Sequence, residues 1–375
     1  MTSSSGELDV TGASVPACRA PDEDQDLQWR PAAVRNNIRS MNDLEEQRLR
    51  VYALQDGAVR AQALTFCLRI GLFDRLEQAP LTFQEISHEL RLSQRVLPSL
   101  LAFLASQGLL DRSTDGHFSN TPAASAFLVR ESPRYAGGRG LLFGGFYQAI
   151  GHLPEALATG MPWTAEGQHD MFARFGPEEQ RWFAEGMFAN AVHGAQALVR
   201  QVDFAPFEWL LDVGGNAGGY TTVLLGRHPR LQATIFDLEG IRPLALKRAI
   251  DAGLSSRVNF SAGSFFEDEL PEGHDVLLLS SILHDWGDAD CRTILEKCQR
   301  ALAPGGTIVV TEPMLAEDCT GPDHPAASGL TMALLGGENR TRSRICELLS
   351  EAGFSECWQS GLGVQNSVVT ARKAT

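Results

Sequence analysis

Asp212-Val213-Gly214-Gly215-Asn216-Ala217-Gly218 is the stretch that decides the fold of this chain. It follows the apolar run Trp209-Leu210-Leu211, which predicts a buried β-strand, and a helical pattern begins behind it at about Tyr220. A strand, a tight glycine turn and a helix start form a nucleotide-binding corner, because glycines let the backbone approach a ligand and the helix end offers free N–H groups. We therefore expect cofactor contacts at Asp212, Gly214, Gly215 and Gly218.

A second acidic residue supports this interpretation. The segment Leu231–Phe236 predicts the next strand, and Asp237 follows it, 19 residues after Gly218. An acid about 20 residues beyond such a corner is placed to accept hydrogen bonds from a ribose diol. Dinucleotide enzymes seat a pyrophosphate on Gly-x-Gly-x-x-Gly, whereas this strand ends in the acidic Asp212. An acid there repels a pyrophosphate but suits an ammonium and a sulfonium, so the corner favours S-adenosylmethionine over NAD.

Composition and charge exclude several classes of protein. The chain has 375 residues, enough for two domains, and its net charge is −14 with no basic run. Nucleic acid and anionic membrane surfaces are therefore not expected partners, because both need clustered positive charge. No apolar run approaches the roughly 18 residues that span a bilayer, so we expect no membrane insertion.

The cysteines and the N-terminus indicate a compartment. Seven cysteines are scattered without a Cys-x-x-Cys pair, which predicts free thiols in a reducing cytoplasm. Residues 1–28 are polar and acidic and lack the apolar core of a secretion signal. We expect a disordered tail there and a cytoplasmic protein.

The N-terminal part predicts a winged-helix domain over residues 29–122. Thr82 starts a short helix, Ser93 caps a second one, and two short strands follow with Asp115-Gly116 at the turn between them. Such domains often bind DNA, but the second helix carries a single basic residue, Arg95, whereas phosphate contacts need several. A structural or dimerising role is the better interpretation.

Two further segments follow, and they differ in their predicted secondary structure. Residues 123–205 are mostly helical in pattern, and over residues 206–375 strands alternate with helices, which predicts a Rossmann-like, doubly wound α/β sheet. Pro304-Gly305-Gly306 predicts a turn between one helix and the next strand. The predicted strands are 209–213, 232–237, 257–261, 275–280, 307–312 and 366–371, and the predicted helices lie near 220–228, 241–253, 289–302 and 341–352.

A histidine follows the predicted strand Asp275–Ser280. His284 lies four residues after the strand and is followed by Asp285 and Trp286. Because the carboxyl ends of parallel strands meet at one edge of a sheet, His284 is expected at the edge that holds the glycine corner. A phenol has a pKa of about 10, so its oxygen attacks faster once a neutral histidine removes the proton. We interpret His284 as the general base of a methyl transfer.

Two carboxylates flank this histidine. Glu312 ends the following strand, Thr307–Thr311, and should lie beside His284. We assign it as the group that orients the imidazole, with a strand-end acid exposed to water as the alternative. Asp285 is adjacent in sequence, but neighbouring side chains usually point apart, so we give it a secondary role in fixing the turn.

Together these motifs resemble the S-adenosylmethionine-dependent O-methyltransferases, which include the caffeate, hydroxyindole and bacterial aromatic-polyketide enzymes. The resemblance runs from about Val51 to Ala371 and depends on the order and spacing of the motifs. They are Asp-Val-Gly-Gly-x-x-Gly, Phe-Asp-Leu, Leu-His-Asp-Trp, Pro-Gly-Gly, the Gly-Gly-x-x-Arg-Thr of Gly336–Thr341, and Ala352-Gly353-Phe354.

The resemblance implies a cofactor, a dimer and an acceptor pocket. The cofactor is S-adenosylmethionine, the winged-helix domain joins two copies in a homodimer, and residues 123–205 form the lid over a small aromatic acceptor. The implied cofactor contacts also include Leu238, Ser264, Phe265, Ser280 and the aromatic cover Trp286. The implied acceptor contacts are Phe146, Tyr147, Met187, Asn190, Met332 and Asn339; core packing is the alternative for Met187 and Trp286. No metal site is implied.

Three positions depart from the family pattern. Ser264 stands where an acid usually contacts the adenine, Asn339 where many members carry a Glu that partners the histidine, and Asn216 replaces a glycine. Serine can still accept one hydrogen bond from the adenine amino group, and Asn339 could orient His284 by a neutral bond. Asn enters left-handed conformations more readily than most residues, so Asn216 is tolerable.

The sequence thus favours methyl transfer to a hydroxyl of an aromatic or conjugated secondary metabolite. The alternative is methylation of carbon or nitrogen, or decarboxylation, ring closure or hydroxylation on the same fold. A DNA-binding regulator is a weaker hypothesis because the chain is acidic. A metal-dependent catechol mechanism is weaker too, because no clustered carboxylate set accompanies His284, Asp285 and Glu312.

Overall fold

The structure is a computed structural model that describes residues 41–132, 134–145, 147–163, 177–360 and 366–375. The predicted tail, residues 1–28, and the predicted acceptor contact Phe146 lie outside the described residues. None of the described helices combines the length and the apolar character that a membrane crossing requires.

The N-terminal domain packs helices on a small antiparallel sheet of order β1-β3-β2, as expected for a winged helix. Its helices surround one apolar core that includes Phe73, Ile86 and Leu104. Its elements are α1 (Met41–Gln55), α2 (Gly57–Arg69), α3 (Leu72–Gln78), β1 (Leu81–Thr82), α4 (Phe83–Glu89), α5 (Leu97–Ser106), β2 (Leu110–Arg112), β3 (His117–Asn120) and α6 (Pro122–Leu128).

The two predicted helix starts in this domain have different outcomes. Thr82 caps α4 in a capping box with Glu85, which confirms the first. The second was wrong: α5 begins four residues after Ser93, at Leu97. The Ser93 hydroxyl accepts from the Arg95 N–H in a preceding turn, and Pro98 stands in the first helical turn, where its missing N–H costs nothing.

Helices connect this domain to the sheet domain. They are α7 (Gly137–Gly145), α8 (Tyr147–Gly151), α9 (Leu153–Thr159) and the long α10 (Pro177–Leu198). Two glycines allow α7 and α10 to cross at backbone contact, since a Cβ added at Gly138 would lie 2.1 Å from the Cα of Gly186. The side chain of Thr65 in α2 donates to the carbonyl of Gly140, at 3.0 Å, and this bond attaches α7 to the N-terminal domain.

The C-terminal domain is the predicted doubly wound sheet. Seven strands lie in the order β6-β5-β4-β7-β8-β10-β9; β10 is antiparallel to both of its neighbours, and the other pairs are parallel. The strands are β4 (Trp209–Val213), β5 (Gln232–Asp237), β6 (Val258–Ala262), β7 (His274–Ser280), β8 (Leu302–Glu312), β9 (Phe354–Gln359) and β10 (Ser367–Lys373), and the helices are α11 (Gly219–Arg227), α12 (Arg242–Asp251), α13 (Asp288–Ala301), α14 (Asp323–Leu335) and α15 (Arg342–Glu351).

Alternate residues of each central strand pack on opposite faces of this sheet. Leu211 and Leu277 join the core shared with α13 and α15, whereas Leu210 and Leu278 join the core shared with α10, α11 and α12. The strand order reverses at β4, because β5 lies on one side of it and β7 on the other. Such a reversal opens a crevice at the carboxyl ends of the strands, where ligands bind.

Three details of this domain differ from the sequence expectations. Pro304-Gly305-Gly306 lies inside β8 as an irregularity, because pairing with β7 jumps from Leu302 to Thr307. Helix α14 and strand β9 had no counterpart among the predicted elements. The prediction that all cysteines are free thiols was wrong, since a disulfide joins Cys346 of α15 to Cys357 of the adjacent β9.

Candidate active site

The glycine corner is too tightly packed to hold side chains. Gly214 has φ +67°, and a Cβ there would lie 2.3 Å from Cδ1 of Ile282. A Cβ at Gly215 would lie 2.6 Å from the carboxyl carbon of Asp212. Asn216 has φ 51°, the left-handed conformation that the sequence suggested for it. Backbone therefore forms this part of the wall, which lets a ligand approach it closely.

Asp237 joins the corner to the next strand. Its Oδ2 accepts from the backbone N–H of Asn216 at 2.8 Å, and its Oδ1 accepts from that of Leu238 at 2.7 Å. Each carboxylate oxygen has a second lone pair, so both can also accept from the hydroxyls of a ligand. Asp237 thus shapes the loop and keeps acceptor lone pairs on the cavity wall.

Asp212 lies behind this wall. It is fully buried, and its Oδ2 accepts from the hydroxyl of Thr221 at 2.6 Å. Its Oδ1 has no hydrogen-bond partner among the described residues. Burial raises the pKa of Asp212 to about 6, and the charge of Asp237 adds to the rise, while the bond from Thr221 opposes it. The structure therefore places Asp212 as a support of the corner.

A cavity of about 520 Å³ opens at the carboxyl edge of the sheet. This volume lies in the usual range for small-molecule sites. Of the predicted residues, those on its wall are Gly214, Gly215, Asp237, Leu238, Ser264, Phe265, Ser280, Trp286, His284, Asp285, Met187, Asn190 and Met332. The other described ones, which do not line it, are Asp212, Gly218, Glu312, Tyr147 and Asn339.

His284 lies in a short turn between β7 and α13. The turn Leu283–Asp285 is one 3-10 segment, and the imidazole side chain is 16% exposed on the cavity wall. Its Nε2 lies 3.4 Å from Oδ1 of Asp285, so these adjacent side chains do approach each other. The expectation that they point apart was wrong, because the tight turn brings both to the same side.

Glu312 holds the backbone of this turn. Its Oε1 accepts from the N–H groups of Ile282 and Leu283, both at 2.9 Å. Its Oε2 lies 3.7 Å from Nδ1 of His284, which is too long for a hydrogen bond. The structure therefore supports an orienting role for Glu312 through the main chain, with its second oxygen facing the ring.

Burial governs the charge of this pair. It lowers the pKa of His284 to about 4, and the charges of Arg340 and His324 add to the effect, while Asn339 opposes it. Burial also raises the pKa of Glu312 to about 7, against the two backbone N–H groups and Arg340. Both shifts disfavour charged forms, so the imidazole is neutral at pH 7 and can accept a proton.

Asn339 lies beside this site and holds α14. Its Nδ2 donates to the carbonyl of Pro325 at 2.6 Å and to the hydroxyl of Ser328 at 2.8 Å. Its Oδ1 and the Nδ1 of His284 are both buried without a hydrogen-bond partner among the described residues, although Asn339 is close enough to raise the pKa of His284. The contacts of Asn339 thus position a helix of the cavity wall.

The Gly-Gly-x-x-Arg-Thr motif, Gly336–Thr341, packs against the turn Leu283–Asp285 that carries His284. The sequence analysis did not predict this contact. Arg340 is 1% exposed, and it donates to the carbonyls of Leu283 and Trp286, both at 2.8 Å, and to Asp288. The backbone of Gly337 lies so close that a Cβ there would be 2.1 Å from the carbonyl oxygen of His284. The motif itself was the available signal, but sequence order does not show what it packs against.

Next to the turn that carries His284, the cavity wall is aromatic. Trp286 is 4% exposed, and its ring packs edge-to-face on Phe265 and Phe266, at 5.8 Å and 4.7 Å between centroids. Trp286 is therefore both a core residue and part of the cavity wall. Ser264 occupies the predicted adenine end, where its backbone N–H donates to Asp268 at 2.9 Å.

Replacing Asp237 tests the cofactor end of the cavity. We expect Asp237→Ala to weaken binding of S-adenosylhomocysteine about 10- to 100-fold, because it removes charged acceptors and frees the loop at Asn216. Isothermal titration calorimetry measures the change. Asp251→Ala, which removes an exposed acid at the end of α12, is the matched control. Unchanged affinity in the Asp237 variant would contradict the assignment.

The residues present fit S-adenosylmethionine. The corner is a backbone cradle that a Cβ would fill, and a carboxylate with spare lone pairs stands beside it. Within the described residues, no group of three or more His, Cys, Asp or Glu could hold a metal ion.

Comparison with known proteins also indicates a methyltransferase. Residues 157–355 match the O-methyltransferase domain, and residues 52–130 match the O-methyltransferase dimerisation domain. The chain is similar to the 3-hydroxy-5-methyl-1-naphthoate 3-O-methyltransferase of Streptomyces sahachiroi, with 35% identity over 81% of this chain and 88% of that one. It is also similar to the N,N-dimethyltransferase OxyT of Streptomyces rimosus, with 30% identity over 79% of this chain and 87% of that one.

A solved structure agrees in fold. The crystal structure of human N-acetylserotonin methyltransferase in complex with SAM has a TM-score of 0.81 and 27% identity, and the match covers 88% of this chain and 98% of that one. The predicted resemblance, enzyme class and cofactor are thereby confirmed. The chain belongs to the O-methyltransferase family and is an S-adenosylmethionine-dependent O-methyltransferase.

Proposed function

We propose that the enzyme methylates a hydroxyl of an aromatic or conjugated small molecule, with His284 as the general base. One observation carries this proposal: a neutral imidazole lies on the wall of the same cavity as the glycine corner and Asp237. S-adenosylmethionine, when bound, supplies an electrophilic methyl group. The relative that acts on a hydroxynaphthoate supports an aromatic acceptor.

The turn is built to hold a base in place. Glu312 fixes the backbone before the histidine, and Arg340 fixes the carbonyls on either side of it. A carboxylate oxygen lies near each ring nitrogen, Glu312 Oε2 near Nδ1 and Asp285 Oδ1 near Nε2, and the nitrogen of the neutral ring that carries no proton is the base. Fixed geometry contributes because a hydroxyl must approach the methyl carbon in line.

The other walls suit a flat acceptor. Met187, Met332 and Phe183 line the cavity together with Leu335. Methionine adapts to irregular shapes and packs well against aromatic rings. These side chains give the cavity an apolar surface, and His284 and Asn190 are among the polar groups on the same wall.

Transfer to nitrogen is the second candidate, because the similar OxyT is an N,N-dimethyltransferase. An amine acceptor needs only a lone pair, so it depends less on a base than a phenol does. A non-methylating reaction with the same cofactor remains a third hypothesis from the sequence.

Analysis of the products tests these alternatives. We expect the enzyme to convert a hydroxylated aromatic acceptor into its methyl ether and to release one S-adenosylhomocysteine per product. Mass spectrometry of matched phenol and aniline panels measures both. Methylation confined to the anilines favours the second candidate, and turnover without S-adenosylhomocysteine favours the third.

We also propose that the enzyme is a homodimer. The match to a dimerisation domain supports this. The apolar side chains of Leu49, Leu54 and Val59 are exposed on α1 and α2, where a second copy would cover them.

A further inference from the structure

A positively charged side chain, that of Arg139, lies on the cavity wall. The sequence had predicted only aromatic, methionine and asparagine side chains for the acceptor part of this wall. Arg139 of α7 and His324 of α14 both line the cavity. The Nη1 and Nη2 atoms of Arg139 lie 3.3 Å and 3.1 Å from Nε2 and Nδ1 of His324. Among the described lining residues, Arg139 is the only arginine or lysine.

This pair lies on the acceptor side. His324 begins a stripe of α14 that continues through Ser328, Met332 and Leu335, all of which line the cavity. His324 is also near enough to His284 that a proton on His324 would lower the pKa of His284. The cofactor end, by contrast, is built by the glycine corner and Asp237 on the β4 and β5 edge.

The backbone under Arg139 is fixed on both sides. Its neighbour Gly138 is in backbone contact with Gly186 of α10, and its other neighbour Gly140 accepts from Thr65 of α2. The guanidinium therefore projects from a rigid base, which lowers the entropy cost of binding a ligand.

The charges along the wall select where an anion can lie. Within the described part of the chain, the acidic residues on the wall are Asp237, at the cofactor end, and Asp285, beside His284. Both repel an anionic group, whereas Arg139 attracts one. His324 does not cancel that attraction, because burial and the charge of Arg139 lower its pKa, against Asp323, and keep it neutral.

We propose that Arg139, held in place by His324, binds a carboxylate on the acceptor, so that the preferred acceptors are hydroxyaryl carboxylates. The inference rests on the proposed function, because it names a class within the aromatic acceptors. A guanidinium matches a carboxylate with two parallel N–H···O bonds, which adds direction to the charge attraction. A carboxylate that enters the cavity elsewhere loses its hydration without compensation.

Binding to the full chain saturated with S-adenosylhomocysteine tests this. The probes are 3-hydroxy-2-naphthoate, its methyl ester and 2-naphthol, measured by isothermal titration calorimetry. We expect the wild type to bind the carboxylate about tenfold or more tighter than the ester. Arg139→Gln removes this preference and leaves 2-naphthol affinity unchanged, whereas Arg139→Lys keeps part of the preference.

Controls separate this inference from loss of folding and from the proposed function. Arg134→Gln removes an exposed arginine that does not line the cavity, and we expect it to keep the full preference. Each variant must bind S-adenosylhomocysteine and unfold like the wild type. Equal wild-type affinities, a preference that survives in Arg139→Gln, or binding of none of the three probes overturns the inference.

Two mixed outcomes have distinct meanings. If neutral phenols are methylated and the carboxylate gives no advantage, the proposed function stands and this inference fails. If the carboxylate preference is found but no methyl ether forms, carboxylate binding at Arg139 stands, and both the proposed function and the acceptor class named from it fail.

Discussion

His284→Gln lowers the rate of methyl transfer about 10²- to 10⁴-fold while leaving the affinity for S-adenosylhomocysteine nearly unchanged; this is the first result that we expect. Glutamine keeps a polar side chain of similar size but cannot accept the phenolic proton. The glycine corner and Asp237 come from other strands, so the cofactor end is unaffected. Single-turnover rates with saturating cofactor measure the loss.

A matched substitution and a pH profile complete this test. His88→Gln changes an exposed histidine of α4 and should retain the wild-type rate. Because burial holds the pKa of His284 at about 4, the base stays neutral as the pH falls through 6.5 and is protonated only near 4. The wild-type rate should therefore show no acid limb from His284 at 6.5, and a limb near 7 would belong to Glu312, whose pKa burial raises to about 7. Near-normal transfer by His284→Gln would rule out the base assignment.

Gly337→Ala should have the second large effect, about a 10²-fold fall in kcat, although residue 337 does not line the cavity. Its Cβ would lie 2.1 Å from the carbonyl oxygen of His284 and 2.7 Å from the carbonyl carbon of Asp285. Backbone cannot move aside as a flexible side chain can, so the turn that carries the base must shift. Overpacking of this kind also costs about 1–3 kcal/mol of stability.

Gly226→Ala is the matched control for this substitution. Gly226 lies in α11, and an added Cβ would meet nothing within 4 Å. Alanine there should keep full activity and raise stability slightly, because it restricts the unfolded chain. Comparison of kcat with the melting temperature separates displacement of the turn from loss of fold. Wild-type kcat in Gly337→Ala would show that the turn tolerates displacement.

Local patterns predicted the sheet and one end of the site. The glycine corner, Asp237 and His284 lie at the carboxyl ends of β4, β5 and β7, which are neighbours in the sheet. Parallel strands bring these ends to one edge whatever the details of packing. Glu312 was found for the same reason. Their exact contacts were not predictable, as shown by Glu312, which holds the turn through backbone N–H groups.

The rest of the site depends on packing between distant segments. Arg139 and His324 are 185 residues apart, and only the fold shows that they touch. Helix α14 was missed because Pro325, Gly329 and small residues weaken its helical pattern, although His324, Ser328, Met332 and Leu335 recur at helical spacing. Scattered cysteines gave no hint that α15 and β9 bring Cys346 and Cys357 together.

Two kinds of structural element form the cavity wall. Loops at the sheet edge carry the groups assigned to cofactor binding and proton removal, whereas α7, α10 and α14 supply the surface assigned to the acceptor. Substitutions on those helices can therefore alter substrate selectivity without disturbing the reaction itself. Natural or engineered substitutions on one helix face at a time can therefore change which acceptor the enzyme prefers.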